Sequence, residues 1–301
     1  MENDAIKKSA NPWLLDAHTD ETYNALVAKM MSTLPQRNNW CVDFGAWDGL
    51  VGSDSRNLII NHGFSAVLIE GNKDRFCDLQ RNYAGNKNVF TFNNFVGFGA
   101  DDGLDAILKT TPIPQDFDFL VTDIDGNDYH VWAAVTNYHP KIVCIEFNPT
   151  IPPEVRFIQP ADPSVNQGSS LSSLVELGKK KGYELISVVG VNAFFVTREY
   201  YPLFGIEDNR VELVWTKRDR VTYIFSGYDG RIFLRGCQKL PWHEYIPMAE
   251  SKMQCLPSFL QKYPFTRRRR IAYTCLTNPL SLIPKILRRI ANCNPFGKSN
   301  P

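Results

Sequence analysis

The stretch at residues 40–52 constrains the fold most, because it joins a short apolar run to a glycine-rich turn. The run ends in an acid, Asp43, and two glycines separated by three residues follow, Gly45 and Gly49. A strand, a glycine turn and a helix start let backbone N–H groups approach a ligand. The sequence therefore predicts a binding turn after a first buried strand, with Ser53 as the N-cap of the next helix.

The spacing of this turn argues against a dinucleotide. Folds that bind NAD use Gly-x-Gly-x-x-Gly, which lets a pyrophosphate lie against bare backbone. Here Ala46, Trp47 and Asp48 follow Gly45, and an anionic side chain in the turn would repel two phosphates. Asp43 adds a second negative charge, which could instead hold an ammonium group. A positively charged nucleoside without phosphates fits the turn better.

Polar residues also end the later apolar runs of the chain. They are Glu70, Asp123, Asp125, Glu146 and Asn148. In open parallel sheets ligands bind at the carboxyl ends of strands, so these side chains are expected to converge on one crevice. Glu70 and the following Gly71 are expected at the ribose, because one carboxylate can accept from both hydroxyls. For the adenine edge, Asn93, Asn94 and the turn at residues 97–102 remain alternatives.

The turn resembles motif I of the class I S-adenosylmethionine-dependent methyltransferases, whose pattern acid-x-Gly-x-x-x-Gly is matched without a gap by residues 43–49. With the later strands included, the chain is similar to the FkbM-type branch of that family over about residues 38–198. The matching segments are Ile69-Glu70, residues 122–126 and residues 143–148. The sequence departs from the family at Asp125, where Glu is usual, and at Thr122, where many members have Lys-Ile.

The resemblance implies a Rossmann-like three-layer α/β sandwich with a mostly parallel seven-stranded sheet and an antiparallel terminal strand. It implies S-adenosylmethionine as the cofactor and methylation of a hydroxyl on a sugar, glycan or small metabolite. The implied cofactor-binding residues are Asp43, Gly45, Ala46, Gly49, Glu70, Gly71, Asn94 and Asp123.

A hydroxyl acceptor needs a base, and Asp125 and Asp123 are the best candidates. If the strand continued through them, they would point to opposite faces, so only one would meet the substrate. Asp125, beside Gly126, is preferred as base or hydroxyl orienter, with Asp123 at the methionine end of the cofactor. His130 is a reserve base. The Pro-rich loop at residues 149–168 is interpreted as part of the acceptor site, with Arg156 and Gln159 as polar contacts.

Other functions stay open at this point. Asp123-Ile124-Asp125 is also a DxD pattern, which in glycosyltransferases holds a divalent metal and a nucleotide sugar. A non-catalytic methyltransferase fold that interacts with RNA is a further alternative, although nucleic acid is not favoured because the body of the chain is acidic. The seven cysteines form no Cys-x-x-Cys pair, so no metal site is expected. The same pattern predicts a reducing, cytoplasmic location.

Four segments are expected: an N-terminal helical segment (residues 1–38), the methyltransferase domain (39–199), an extension with a β-hairpin (200–265) and a basic tail (266–301). The hairpin is predicted from Asp229-Gly230 between two apolar runs. From Ser251 onward there are ten Lys and Arg and no acid, whereas the preceding residues carry 23 basic and 32 acidic side chains. Residues 266–290 are therefore a candidate for peripheral membrane contact, since leucine and isoleucine alternate with basic residues.

Overall fold

The computed structural model describes residues 11–15, 19–278, 280 and 284. By their internal contacts these residues belong to two compact units, Met1–Val221 and Thr222–Pro301. The sequence predicted boundaries after residues 38, 199 and 265, whereas the first unit continues to Val221. The reason is that Phe204 and Trp215, which lie beyond residue 199, are buried in the core of this unit at 1% and 2% exposure.

The first unit is built on a seven-stranded sheet with the order β3-β2-β1-β4-β5-β7-β6. Strands β1 to β5 pair in parallel, and β7 runs antiparallel between β5 and β6. This is the predicted Rossmann-like methyltransferase fold, with the last strand in chain order as the antiparallel one. The strands are β1 Trp40–Phe44, β2 Ser65–Ile69, β3 Val89–Phe92, β4 Phe119–Thr122, β5 Ile142–Glu146, β6 Tyr183–Val189 and β7 Asn192–Thr197.

Helices cover both faces of the sheet, which makes the three predicted layers. One apolar core joins helices α1 to α3 to one face, and a second joins α4 to α6 to the other. Because both faces are buried, strands such as β2 and β4 read as continuous apolar runs rather than as alternating patterns. The helices are α1 Asp20–Thr33, α2 Arg56–His62, α3 Lys73–Tyr83, α4 Leu104–Leu108, α5 Asp128–Ala134, α6 Leu171–Lys181 and α7 Val211–Val214.

The second unit is small and mostly irregular. Its main element is the predicted hairpin, formed by β8 Thr222–Ser226 and β9 Ile232–Gly236 with Gly230 in the left-handed region at φ 80°. A two-residue pair follows, β10 Lys239–Leu240 with β11 Ile246–Pro247, and then helix α8, Arg267–Thr277. Residues 279, 281–283 and 285–301, which carry most of the predicted amphipathic tail, lie outside the described residues. In the part of the chain that is described, no helix combines the length and apolarity needed to cross a bilayer.

Candidate active site

The glycine turn after β1 is fastened to the ends of both neighbouring strands. The backbone N–H groups of Gly45 and Ala46 donate to the Ile69 carbonyl at 3.0 and 3.1 Å. Gly45 has a φ of 87°, and a Cβ atom there would overlap the carbonyl oxygen of Asp123. Only glycine satisfies both conditions, so Gly45 is what allows the turn to lie directly against the end of β4.

Gly49 has a different reason to be glycine. Its φ is 74°, and a Cβ atom would lie 2.6 Å from a methyl group of Leu79 and 2.5 Å from the ring of Tyr83. The Tyr83 hydroxyl also donates to the Gly49 carbonyl at 2.8 Å. The second glycine of the motif therefore serves the packing of the turn against α3.

Glu70 lies at the tip of β2 and is 7% exposed, so it is not a solvated surface acid. One of its carboxylate oxygens accepts from the backbone N–H of Trp47 at 2.8 Å, and the other from that of Asn72 at 2.7 Å. These bonds fix the carboxylate beside the glycine turn. Each oxygen keeps a second lone pair, so the group can still accept from two ligand hydroxyls.

The Asp43 carboxylate accepts hydrogen bonds from the segment that leads into α2. Its Oδ2 accepts from the hydroxyls of Ser55 at 2.7 Å and Ser53 at 3.0 Å, and the residue is 2% exposed. Burial raises the pKa of this carboxyl, while the two serine bonds oppose the rise. The N-cap residue of α2 is Ser55 and not Ser53 as predicted, and the Ser55 hydroxyl makes no capping bond because it donates to Asp43. A contact between Asp43 and a ligand ammonium group stays a prediction.

The tips of β2 and β3 meet beside Glu70. The Asn93 amide donates to the carbonyls of Glu70 and Gly71 at 2.8 and 3.2 Å, so it clamps the backbone there. Phe95 is 82% exposed, and a Cβ atom on Gly71 would overlap its ring. Sequence analysis did not select Phe95, although an aromatic side chain just after a strand tip is a signal for base stacking. Asn94 is exposed in the same segment.

Three carboxylates converge where β4 and β5 end. One oxygen each of Asp123, Asp125 and Glu146 lies within 4.8 Å of the other two; these residues are called the carboxylate cluster below. The condition under which Asp123 and Asp125 would point to opposite faces, a strand that continues through both, is not met. Strand β4 ends at Thr122, and Asp125 has a left-handed backbone with φ 56°, so the alternation of a strand does not apply to them.

The turn that brings the cluster together is held by Asp128, which is 3% exposed. Its carboxylate accepts from the N–H of Ile124 at 3.1 Å, the N–H of Gly126 at 3.0 Å and the hydroxyl of Thr122 at 3.3 Å. This residue fixes the turn at the first position of α5, and sequence analysis gave it no role.

Ionisation of all the carboxyls in the cluster at once is energetically unfavourable. Burial, with Asp128 as the next cause, raises the pKa of Asp123 to about 8. Burial, with Asp123 as the next cause, raises the pKa of Glu146 to about 9. The two carboxyls also hydrogen bond to each other. At neutral pH they therefore hold at least one proton between them unless a cation joins them.

A second polar group, which was not predicted from the sequence, lies beside the cluster. Asp54 accepts from the Asn192 amide at 2.9 Å and hydrogen bonds with the Tyr23 hydroxyl. Burial and the neighbouring Asp43 raise the pKa of Asp54 to about 7. These residues come from the turn before α2, from β7 and from α1, so only the tertiary fold brings them together. With Asp123 they line a cavity of about 480 Å³.

The remaining candidates serve the structure of the long loop. The Nε2 atom of His130 lies 2.8 Å from the Gln159 carbonyl, so it carries the proton and donates. Gln159 is 1% exposed, and its side chain bonds to the backbone of Val165, Gln167 and Gly168 within its own loop. Arg156 pairs with Glu176. The interpretation of Gln159 as an acceptor contact was wrong, because its polar atoms are already used to fold the loop.

Comparison with known proteins gives similarity in architecture alone. No protein-family profile matches the sequence, and no curated protein is detectably similar to it. Among solved structures, magnesium protoporphyrin IX methyltransferase from Synechocystis PCC 6803, with bound SAH, aligns over 59% of this chain and 82% of its own, at 9% identity and a TM-score of 0.39.

Two further solved structures show the same degree of likeness. The N-terminal domain of EvdMO1, with SAH and D-fucose, aligns over 60% of this chain and 81% of its own, at 12% identity and a TM-score of 0.39. A SAM-dependent methyltransferase from Aquifex aeolicus aligns over 57% and 87%, at 14% identity and a TM-score of 0.34.

Proposed function

We propose that the chain is an S-adenosylmethionine-dependent methyltransferase of the FkbM-type branch that methylates a hydroxyl group. The observation that carries the proposal is the position of the Glu70 carboxylate. It is fixed beside a glycine turn that itself lies against the carboxylate cluster, and all of these groups lie at the carboxyl edge of one parallel sheet. Ligands of open α/β sheets bind at this edge.

The charges of the site favour a cationic nucleoside over a nucleotide. Asp43, Asp54 and the carboxylate cluster all lie near the turn, and in the part of the chain that the structure describes no Lys or Arg forms an ion pair with any of them. S-adenosylmethionine carries a sulfonium and an ammonium group and no phosphate. Glu70 would accept from its ribose hydroxyls, and Phe95 beside Gly71 offers a face for its adenine.

Methyl transfer requires little covalent chemistry from the protein itself. Bound S-adenosylmethionine would supply an activated methyl group to the acceptor oxygen and leave as a neutral thioether. The hydroxyl proton must leave, and Asp125, the exposed member of the carboxylate cluster, is the proposed receiver. Asp123, which is half buried, is proposed for the methionine end of the cofactor. The protein's main work is to hold the two reactants in line and exclude water.

A DxD glycosyltransferase is the competing function, because Asp123 and Asp125 do converge as a metal-binding pair would. A nucleotide-sugar enzyme must also bind a diphosphate, and the turn beside the cluster presents acids where phosphates would lie. The glycosyltransferase function also does not explain the hydrogen bond between the Glu70 carboxylate and the backbone of the glycine turn.

Calorimetric titration of the full chain separates the two functions. We expect S-adenosylhomocysteine, the stable product, to bind with a Kd of about 1 μM to 1 mM, the range of Michaelis constants of ordinary enzymes. We expect no heat from UDP-glucose when it is titrated into protein already equilibrated with Mn²⁺. Heat from the nucleotide sugar together with silence from S-adenosylhomocysteine would refute the proposed function.

A further inference from the structure

The hairpin of the second unit has one edge that is covered and one that is open. Along the outer side of β9, the Gln254 side chain bonds to both backbone groups of Ile232. Its Oε1 accepts from the N–H at 3.0 Å, and its Nε2 donates to the carbonyl at 2.9 Å. The Glu250 carboxylate accepts from the N–H of Leu234 at 3.0 Å. Side chains therefore take the place that a further strand would have along β9.

The pairing of the hairpin determines which backbone groups of β8 face outward. Opposite residues of an antiparallel pair either exchange both hydrogen bonds or both point away. Ile232 and Leu234 point away from β8, so their partners on β8 point away from β9. These partners are Ser226 and Ile224, and Thr222 follows the same alternation. In the part of the chain that the structure describes, the outward N–H and C=O groups of these three residues have no hydrogen-bond partner.

The open edge of β8 lacks the features by which natural proteins protect edge strands. Such strands usually carry charged residues, proline or a bulge. β8 has none of these, since it reads Thr-Tyr-Ile-Phe-Ser and pairs with β9 without a register shift. Tyr223, Ile224 and Phe225 are 39%, 60% and 49% exposed. An exposed apolar edge of this kind is a template for a further strand, and a two-stranded hairpin alone is only marginally stable in water.

The sequence of β8 indicates which strand fits this edge. It is nearly the same in both directions, with a hydroxyl residue at each end, an aromatic residue next to it and Ile224 in the middle. An antiparallel pair around a two-fold axis at Ile224 places this residue opposite its own copy. It also places Thr222 opposite Ser226, and Tyr223 opposite Phe225. This register joins the outward backbone groups of both copies as hydrogen-bonded pairs.

We propose that β8 pairs with β8 of a second copy of this chain, antiparallel about Ile224, so that two hairpins form one four-stranded sheet. On one face, Phe225 stacks on Phe233 with ring centroids 5.5 Å apart, and Arg235 lies over both rings at 6.0 and 5.3 Å. Pairing brings the partner's Tyr223 beside Phe225, which extends this aromatic row across the two copies. On the other face, the exposed Ile224 side chains bury one another.

The charges around the hairpin match a second copy better than an acidic partner. Residues 222–301 carry 13 Lys and Arg and three acids, which opposes self-association of this unit in general. The basic residues of the hairpin are nevertheless neutralised within it or by its neighbour. Arg235 pairs with Glu250 at 3.0 Å, and Arg231 lies 4.0 Å from Asp229. Two uncharged strands therefore meet, and the edge offers no unpaired cation that an acidic peptide or a nucleic acid would need.

Sedimentation equilibrium of the full chain tests the pairing without any ligand, so its outcome is independent of the proposed function. Five residues from each copy are far fewer than the about 20–30 a side of a stable interface, so we expect a reversible monomer–dimer equilibrium. Ile224→Lys should weaken the dimer at least about tenfold, because two like charges then lie directly opposite. Ile246→Lys is the matched control, since Ile246 is an isoleucine of β11 that is 55% exposed, and it should leave the equilibrium unchanged.

A charge exchange separates pairing at the axis from damage to the hairpin. Ile224→Lys and Ile224→Glu should each be weak dimers alone, whereas their equimolar mixture should form a mixed dimer, because opposite charges then meet across the axis. Circular dichroism establishes that both variants are folded. A wild-type chain that remains monomeric at about 1 mM, the weak end of specific affinities, would overturn the proposal. So would a dimer that Ile224→Lys does not weaken, or a mixture that associates no better than its components.

Cross-linking locates the contact. In a hydrogen-bonded antiparallel pair the opposite Cα atoms lie about 5.5 Å apart, within the range of about 4.4–6.8 Å that a disulfide spans. Oxidation of Ile224→Cys should therefore give a covalent dimer, with a disulfide between the two copies of position 224 identified by mass spectrometry of its peptides. The wild type accounts for the native cysteines, and Ile246→Cys should give no such dimer. Equal cross-linking through positions 224 and 246 would refute the proposed register.

Discussion

Glu70→Ala is expected to lower the affinity for S-adenosylmethionine about a hundredfold while the protein remains folded. The carboxylate is already aimed by two backbone N–H groups, those of Trp47 and Asn72, so it meets the ribose without losing further freedom. A hydrogen bond to a charged group contributes about 1.5–3 kcal/mol, so at the lower end of this range two ribose hydroxyls together account for about a hundredfold in affinity.

Calorimetry with S-adenosylhomocysteine measures this loss, and two variants make it specific. Glu70→Gln keeps one acceptor oxygen but places an amide group against one backbone N–H, so its affinity should fall between those of the wild type and Glu70→Ala. Glu154→Ala removes an exposed acid and should bind normally. A folded Glu70→Ala protein with unchanged affinity would show that Glu70 only braces the turn, and thermal unfolding without ligand establishes whether it is folded.

The sequence predicted the parts of the site that depend on one strand and the turn after it. Glu70 follows a continuous apolar run, and such runs in a parallel sheet end at the ligand edge. The same reasoning brought Asp123 and Asp125 to that edge. It failed for their directions, because a strand assumed to continue through Asp125 ends at Thr122 and a left-handed residue follows.

Groups that depend on strand pairing could not be predicted. Asn192 faces Glu146 only because β7 inserts antiparallel beside β5 with this register, and a single sequence does not state a register. Asp54 joins this group by accepting from the Asn192 amide, and it also hydrogen bonds with Tyr23, which lies on the first helix and far away in the chain. Short elements were missed for a related reason: α4 has five residues, Leu104–Leu108, too few to show a helical period.

Polar residues in the long loop were misread because composition does not say what a side chain contacts. Gln159 sits in a Pro-rich loop where a binding role was reasonable, yet it is buried and bonds to the backbone on both sides of Asn166. A loop of this length needs internal partners for its backbone groups, and a central Gln supplies both a donor and an acceptor.

Gly45→Ala is expected to destabilise the protein by about 3 kcal/mol or more, the largest effect of any single methyl group in the site. A left-handed backbone costs a residue with a Cβ atom about 1–2 kcal/mol, and forced overlap in a packed region adds about 1–3 kcal/mol. The overlapping atom is the Asp123 backbone carbonyl oxygen, which cannot rotate away as a side chain could. Relief requires the end of β4, and with it the carboxylate cluster, to move.

Gly63→Ala is the matched control, because it isolates the backbone cost. Gly63 has a φ of 68° at the end of α2, and no neighbouring atom lies within 4 Å of its added Cβ. Its loss should be about 1–2 kcal/mol, from the left-handed conformation alone. Urea unfolding followed by circular dichroism measures both variants. An equal loss of unfolding free energy in the two variants would mean that the glycine turn does not contact the end of β4 closely. The close contact between the glycine turn and the carboxylate cluster would then be refuted.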